Sequence, residues 1–273
     1  MLLQCADGPL SLSAPVIMGI INLTPDSFSS DGFGMDSGAA VAAAESMVAA
    51  GATLIDIGGE STRPGASPVT PDEEASRVLP VLRALVARGL RVSVDTSTPS
   101  LMRAAAAEGA AMINDVRALR RPGALSAAAS GQCAVCLMHM QGDPKGMQTA
   151  PAYDNVVTEV KAFLQDRVQT CLDAGIAPER LVVDPGFGFG KSLQHNLRLL
   201  NELGELTQLG YPVLVGLSRK SILGLLTGRE VGERTSGSAV LAALAVERGA
   251  AIVRAHDVAA TRDAISIAVA LKP

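Results

Sequence analysis

The sequence contains few aromatic residues, few histidines and few cysteines. Its 273 residues include no Trp, two Tyr, five Phe, three His and four Cys. Four cysteines in a chain of this length are too few for a disulfide framework. The first basic residue is Arg63, so the positive charge that begins a signal peptide is missing. We therefore expect a cytoplasmic protein.

Long apolar runs and clusters of positive charge are also missing. No apolar run approaches the ~18 residues that a membrane helix needs. The chain has 27 Asp and Glu against 23 Lys and Arg, and no segment is rich in basic residues. We therefore expect neither a membrane nor a nucleic acid as a partner. The hydrophobic fraction of 48% is enough for a packed core, which excludes a disordered chain.

Two of the cysteines have the spacing of a redox pair. Cys133 and Cys136 lead directly into the apolar Leu137 and Met138. The pattern therefore allows a functional thiol pair, but it favours two buried strand residues.

Short apolar runs alternate with longer Ala- and Leu-rich stretches along the whole chain. This alternation predicts parallel strands connected by helices. Eight strands are predicted, at 16–21, 54–57, 92–94, 111–113, 134–138, 181–183, 213–217 and 251–253. Eight helices are predicted, at 38–50, 71–88, 99–108, 123–130, 153–174, 193–203, 236–248 and 259–271. Eight units in about 250 residues predict a (β/α)8 TIM barrel, with a doubly wound open sheet as the alternative. No linker divides the chain, so we predict one domain over residues 1–273.

Polar residues follow every predicted strand, where a barrel of this type gathers its active site. Such residues also cap helices, which is the simpler explanation for any one of them. Asp95, Asn114 and Asp184 follow the third, fourth and sixth strands, and could bind a heterocycle with paired N–H donors such as a 2-amino-4-oxo pteridine. The seventh and eighth strands are followed by cations, at Lys220, Arg254 and His256. Their position predicts an anion-binding side for a phosphate or pyrophosphate.

The same strand ends argue against acyl transfer and against a dedicated metal centre. Ser61 and Ser218 have no adjacent Ser–His–Asp signature. Asn22 could provide one oxygen to Mg²⁺, an ion that keeps most of its waters and binds substrate phosphates. This combination favours transfer chemistry with a phosphate leaving group.

A glycine-rich run follows the sixth predicted strand. Residues 185–192 miss the phosphate-binding P-loop pattern by one position and also fail the dinucleotide-binding spacing. The glycines instead predict a close approach of the backbone to a flat ligand, with Phe187 or Phe189 facing its ring.

Six segments in sequence order resemble the dihydropteroate synthase family. They are residues 18–29, 56–65, 93–97, 137–142, 184–191 and 216–221. The resemblance spans about residues 16 to 258 and implies the family's barrel, its Mg²⁺ cofactor and its homodimer. It also implies condensation of 6-hydroxymethyl-7,8-dihydropterin pyrophosphate with 4-aminobenzoate in folate biosynthesis, a reaction that sulfonamides inhibit.

The resemblance also implies a role for individual residues. It places Mg²⁺ and pyrophosphate at Asn22. It implies catalytic roles for Asp95, Asp184, Lys220, Arg254 and Asp31. The substrate-binding residues that it implies are Thr62, Arg63, Pro64, Asp95, Asn114, Met138, Asp184, Phe189, Gly216, Ser218, Lys220, Arg254 and His256. Within this set, Thr62, Arg63, Pro64 and Ser218 would form the 4-aminobenzoate pocket.

One departure from the family pattern lies in the first loop. The family commonly has Ser-Phe-Ser-Asp-Gly-Gly, whereas residues 27–32 read Ser-Phe-Ser-Ser-Asp-Gly, which moves the loop carboxylate to Asp31. This shift is the one feature that favours a catalytically silent pterin-binding paralogue. A methyltetrahydrofolate-using methyltransferase is the other alternative, although it would not need segments 61–64 and 218–220.

Overall fold

The structure is a computed structural model that describes residues 1–24, 37–61, 69–142, 146–147 and 150–271. Within these ranges, no helix has the length and apolar character that crossing a bilayer requires. The strands of the described residues are β1 (Leu2–Cys5), β2 (Gly8–Ser11), β3 (Val16–Asn22), β4 (Leu54–Gly58), β5 (Val92–Asp95), β6 (Met112–Asp115), β7 (Ala134–Met138), β8 (Leu181–Asp184), β9 (Leu214–Val215) and β10 (Ile252–Ala255).

Helices separate consecutive strands from β3 onward. They are α1 (Ser37–Ala50), α2 (Pro71–Val86), α3 (Pro99–Ala107), α4 (Ala124–Ser130), α5 (Val156–Asp173), α6 (Leu193–Asn201), α7 (Gly204–Thr207), α8 (Ser221–Thr227), α9 (Thr235–Glu247) and α10 (Val258–Ala270). Single 3₁₀ turns occur at Pro178–Arg180 and Val231–Glu233.

Strands β3 to β10 form a nearly closed barrel. Their order in the sheet is β8-β7-β6-β5-β4-β3-β10-β9, and each neighbouring pair is parallel. A parallel bridge between Val183 and Val213 connects the two ends of this sheet. The predicted (β/α)8 TIM barrel is thus confirmed. The doubly wound open sheet is wrong, because its edge strands would not meet.

The predicted elements match the observed ones closely in the barrel and fail outside it. Each of the eight predicted strands overlaps one of β3 to β10, and the seventh is shortened to Leu214–Val215. The predicted helices correspond to α1–α6, α9 and α10. The hairpin β1–β2 and the short helices α7 and α8 are not among the predicted elements, because they fall outside the eightfold alternation of strands and helices.

Alternation along the strands divides the barrel interior into an apolar layer and a polar layer. In β4, Ile55 and Ile57 belong to the core between strands and helices, whereas Leu54 belongs to the core inside the barrel. Since side chains alternate along a strand, Asp56 points to the same side as Leu54 and lies two residues closer to the carboxyl end of β4. The lower interior layer is formed by Met18, Leu54, Met112, Ala134, Cys136, Val182, Leu214 and Ile252.

All four cysteines are free and buried. Cys136 belongs to the barrel interior, and the Cys133 thiol donates to the Ala110 carbonyl at 3.0 Å. Burial raises the pKa of Cys133 to about 11. Both residues are thus buried, as the sequence favoured, with Cys136 in β7 and Cys133 directly before it. Burial and a raised pKa count against a reactive thiol pair.

The N-terminal hairpin closes the lower end of the barrel. Leu3 and Leu10 face each other across β1 and β2, and both belong to the barrel-interior core. The hairpin is fixed to the barrel by an ion pair of 2.8 Å between Asp7 and Arg91. It therefore completes the core at the end opposite to the carboxyl ends of the strands.

We predict that Leu3→Ala lowers the free energy of unfolding by about 2–5 kcal/mol, because it leaves a cavity in a closed core. Adjacent Leu2 is 63% exposed, whereas Leu3 is fully buried, so Leu2→Ala is a matched control with little expected effect. Urea unfolding measures both changes. Equal losses for the two variants would contradict a closing role for the hairpin.

Candidate active site

A cluster of charged side chains lies inside the barrel at the carboxyl ends of the strands. The Arg254 guanidinium donates to Asp56 Oδ2 at 2.6 Å and to Asp95 Oδ2 at 3.3 Å. The Asn114 amide donates to the same Asp56 oxygen at 3.2 Å. We call Asp56, Asp95, Asn114 and Arg254 the acidic cluster. It joins β4, β5, β6 and β10, and its hydrogen-bonded residues are 58 to 198 positions apart in the chain.

Burial sets the protonation of this cluster. Burial, aided by the nearby Asp56 carboxylate and opposed by Arg254, raises the pKa of Asp95 to about 8. Burial lowers the pKa of Arg254, but its two carboxylate partners outweigh that effect and the net pKa is raised. Arg254 is thus a permanent cation beside a carboxyl group that is ready to exchange a proton near neutral pH.

A second group of side chains surrounds the glycine turn, residues 184–191. Asp184 ends β8, and its Oδ1 accepts from the Gly186 N–H at 2.7 Å. The Lys220 ammonium donates to the Phe187 carbonyl and lies 4.7 Å from the centre of the Phe189 ring. Burial lowers the pKa of Lys220 to about 8, and burial raises the pKa of Asp184. A cation, an acid and an aromatic face therefore meet here.

Gly216 shows that the two groups share one space. A Cβ atom placed on Gly216 would lie 3.7 Å from Lys220 Nζ and 4.0 Å from Arg254 Cβ. Gly188 has φ +81°, and a Cβ atom there would lie 3.2 Å from Lys220 Cδ. Both glycines thus leave room beside the lysine, and the predicted close approach of the backbone to a flat ligand stays a prediction.

The side of this space formed by β7 and the residues after it is apolar. Val116, Met138, Met140 and Met147 form one buried cluster, and Phe189 packs against it. Phe187 is fully buried in the outer core, so Phe189 is the one of these two aromatic residues that borders the site. The flexible thioethers and the ring form a surface suited to a flat ligand.

Ser218 and His256 form a polar pair after β9 and β10. Ser218 Oγ lies 2.9 Å from His256 Nδ1 and accepts from the His256 N–H at 3.2 Å. The adjacent Asp257 carboxylate binds Arg219 through bonds of 2.9 and 2.6 Å. Ser218 has no adjacent Ser–His–Asp signature in the sequence, but the fold pairs it with a histidine 38 positions away. Asp257 is engaged by Arg219, so the pair is suited to binding an anion more than to generating a nucleophile.

The structure brings most of the predicted site residues to the same end of the barrel. Those that it places there are Asn22, Asp95, Asn114, Met138, Asp184, Phe189, Gly216, Ser218, Lys220, Arg254 and His256. The predicted residues Asp31, Thr62, Arg63 and Pro64 lie outside the described residues. Arg254 was assigned to an anion-binding side, but here it contacts two carboxylates, so the predicted separation of ring and anion sides is not complete.

Asp56 was not predicted as a site residue. It is fully buried, and its Oδ1 atom has no hydrogen-bond partner among the described residues. The site residues predicted for the strand ends follow the predicted strands, whereas Asp56 lies within β4. The available signal was a single carboxylate inside the apolar run 54–57, since a buried charge needs a partner.

Comparisons with known proteins agree with this geometry. Residues 18–256 match the family described as pterin binding enzyme. Dihydropteroate synthase of Haemophilus influenzae is 53% identical over 261 residues, which cover 94% of each chain. The Yersinia pestis dihydropteroate synthase, solved with a sulfonamide drug complex, has 49% identity and a TM-score of 0.96, covering 99% of this chain and 98% of that one. The Burkholderia cenocepacia dihydropteroate synthase, complexed with 7,8-dihydropteroate, has 47% identity and a TM-score of 0.90, covering 99% and 96%.

These relatives resolve the alternatives that the sequence left open. They match nearly the full chain and are named as synthases, which counts against the methyltransferase and the catalytically silent paralogue. The agreement of fold, site and sequence leads to one conclusion. This chain belongs to the dihydropteroate synthase family of pterin-binding enzymes.

Proposed function

We propose that the protein condenses 6-hydroxymethyl-7,8-dihydropterin pyrophosphate with 4-aminobenzoate to give 7,8-dihydropteroate and pyrophosphate, in folate biosynthesis. The observation that carries this proposal is the convergence of Asp95, Asn114, Asp184, Lys220 and Arg254 at one end of the barrel. In the reaction, the bond between the pterin methylene carbon and a pyrophosphate oxygen breaks. A bond forms from that carbon to the aryl amine nitrogen, which loses one proton.

The acidic cluster and the glycine turn would recognise the pterin ring. A 2-amino-4-oxo pteridine has adjacent N–H donors on one edge and a carbonyl acceptor beside them. The carboxylates of Asp95 and Asp184 would accept from such donors, and Lys220 and the Asn114 amide would donate to ring acceptors. Met138 and Phe189 would contact the ring faces, because both belong to the apolar side of the site.

Cations on the same side of the barrel would stabilise the departing pyrophosphate. Arg254 provides a permanent charge, and His256, two residues later in the chain, presents an imidazole that contacts the Ser218 hydroxyl group. Charge develops on the leaving oxygen as the bond breaks, so fixed donors stabilise the transition state more than the ground state. The acidic cluster would stabilise the positive charge on the pterin methylene.

Asn22 would hold a Mg²⁺ ion together with the pyrophosphate. Among the described residues, no group of three or more His, Cys, Asp or Glu side chains could hold a metal alone. Asn22 ends β3 and is half-buried at the carboxyl end of the barrel. A single amide oxygen fits an ion that keeps several waters and takes its other ligands from phosphate groups. When bound, the ion would neutralise charge on the leaving group.

The second substrate would bind beside the pterin, close to Ser218. The Burkholderia cenocepacia relative binds 7,8-dihydropteroate, which contains both the pterin and the 4-aminobenzoate groups. The Yersinia pestis relative binds a sulfonamide drug. We propose that Thr62, Arg63, Pro64 and Ser218 form the corresponding pocket here, and that Asp31 acts at the reacting carbon.

We also propose that residues 1–273 act as one domain in the cytoplasm. The four buried free thiols suit a reducing compartment.

The protein would function as a homodimer that uses the surface of α9 and α10. Val240 on α9 is 57% exposed and Ile267 on α10 is 64% exposed, although both are large apolar residues. Leu244 lies one helical turn from Val240 and is also exposed. Burying such side chains between two copies would remove apolar surface from water.

Catalysis is tested by measuring pyrophosphate release, which should require both the pterin substrate and 4-aminobenzoate.

We predict that Asp184→Asn weakens pterin binding about tenfold to a hundredfold and leaves the fold intact, because bonds to a charged acceptor contribute about 1.5–3 kcal/mol. Asp263→Asn, at a side chain that is 74% exposed, is the control. Calorimetry with 6-hydroxymethylpterin measures the affinity, and unchanged binding in Asp184→Asn would refute the role of Asp184.

Pterin affinity should rise with pH from about pH 6 to about pH 8. The pKa of Asp95 is raised to about 8 in the free protein, so this group is mostly protonated at neutral pH. Only the ionised carboxylate accepts two N–H bonds, so binding lowers the pKa and releases a proton; affinity therefore increases as pH approaches 8. Calorimetry in buffers of different ionisation enthalpy measures this release. It should vanish in Asp95→Asn, and proton uptake by the native protein would contradict the assignment.

The dimer is tested by the double variant Val240→Asp and Leu244→Asp. Two charges in a contact between copies would be desolvated without partners, so we expect the mass measured by light scattering to fall by half. Leu2→Asp is the control, because Leu2 is 63% exposed on β1 rather than on α9 or α10. A dimer that persists in the double variant would exclude this surface.

A further inference from the structure

A buried lysine that the proposed chemistry does not use lies at the end of the glycine turn. Lys191 is only 3% exposed. Its Nζ atom lies 2.9 Å from His139 Nδ1 and 3.0 Å from each of the Gly186 and Phe189 carbonyl oxygens. The His139 carbonyl lies farther away, at 3.4 Å. Lysine is almost never fully buried unless it is paired, so these contacts need an explanation.

The three short contacts match the three hydrogens of an ammonium group. The two carbonyls can only accept, and His139 Nδ1 accepts when the ring proton is on Nε2. Burial, aided by the charge of Lys191, lowers the pKa of His139 to about 2, so this ring stays neutral. Burial lowers the pKa of Lys191 to about 7, and the Asp184 carboxylate opposes this effect. Lys191 thus satisfies two buried acceptors, on His139 and Gly186, and the part-buried Phe189 carbonyl.

The carbonyls that Lys191 binds determine the shape of the turn. They belong to Gly186 and Phe189 and lie on either side of the Phe187 carbonyl, which accepts from Lys220. The Gly186 N–H donates to Asp184, and Gly186 has φ +67°. Glycine adopts this conformation freely but does not fix it, so the turn needs contacts from outside its own backbone.

Lys191 also connects the turn to the residues after β7. The His139 N–H donates to the Asp184 carbonyl at 2.9 Å, and the Tyr153 hydroxyl donates to the Gly190 carbonyl at 2.8 Å. A Cβ atom on Gly186 would lie 1.9 Å from the His139 carbonyl oxygen, so the two segments are in direct contact. The His139 ring packs edge-on against Phe163, at 4.8 Å between ring centres.

We propose that Lys191 is a positioning residue for pterin binding: by holding the Gly186 and Phe189 carbonyls against His139, its amine orients Asp184, Lys220 and the Phe189 ring. Lys191 does not touch the substrate, since its amine is enclosed by protein. The inference rests on the proposed function, because it assigns the turn to the pterin.

The test replaces Lys191 with Met, which keeps an unbranched apolar stem and removes the donors. We expect Lys191→Met to weaken binding of 6-hydroxymethylpterin at least about tenfold, because two buried carbonyls lose their donor and the turn must rearrange. The KM for 4-aminobenzoate should change less than about twofold, since Ser218 lies on other elements. Lys161→Met controls for the loss of a lysine at an ion pair on the surface.

A general loss of stability is distinguished by Leu85→Ala, a core substitution on α2. This variant should lower the free energy of unfolding and leave the pterin affinity unchanged. The positioning role is refuted if Lys191→Met binds the pterin as tightly as the native protein does. It is also refuted if the dissociation constant for the pterin and the KM for 4-aminobenzoate rise by the same factor. If the native protein itself fails to bind the pterin, it is the proposed function that fails.

A second pair of variants keeps the inference testable if Lys191→Met does not fold. His139→Asn retains an acceptor close to the position of Nδ1, whereas His139→Leu removes it. We expect pterin affinity close to native in the first variant and a loss of at least about tenfold in the second. Nitrogen NMR of the native His139 ring should show the proton on Nε2. Equal affinities for the two variants, or a proton on Nδ1, would overturn the assignment.

Discussion

The site depends on the burial of acidic groups beside a single arginine. Asp56 and Asp95 both contact Arg254, and burying either carboxylate without this partner would be very unfavourable. Arg254 extends from β10, on the same side of the barrel as its partners on β4 and β5. One cation cannot neutralise two carboxylates, so the cluster either binds a proton or binds a ligand rich in N–H donors. The electrostatics of the cluster thus favour a ligand with several N–H donors, such as the proposed pterin.

The barrel was predictable from the sequence because its strands are buried on both faces. Such strands appear as continuous apolar runs, and this signal does not depend on distant partners. The hairpin at Leu2–Ser11 lacked such a signal, because its exposed and buried residues alternate over only four residues in each strand. An element that is stable only because it packs on the barrel core is therefore difficult to predict from its own sequence pattern.

The site was predictable to the extent that its residues follow strands. Asp95 and Asp184 end their strands and Asn114 is the second-last residue of β6, so fold class alone places them together. Asp56 lies inside its strand, and the contact between Ser218 and His256 joins two different loops. These features depend on strand register and on loop geometry, and neither can be read from the residue types of a short segment. The partners of each polar group therefore had to come from the structure.

The same arrangement supports departure of pyrophosphate, rather than attack by the amine, as the step that we propose the protein assists. An aryl amine is a weak base whose reaction needs proximity more than proton removal. Loss of pyrophosphate instead separates charge, leaving a positive carbon beside the acidic cluster and a polyanion that requires cations. Three carboxyl groups, of Asp56, Asp95 and Asp184, face only two cationic side chains, of Arg254 and Lys220, on the ring side. That excess stabilises the developing cation, and the rigid strands that carry it need no rearrangement as the charge appears.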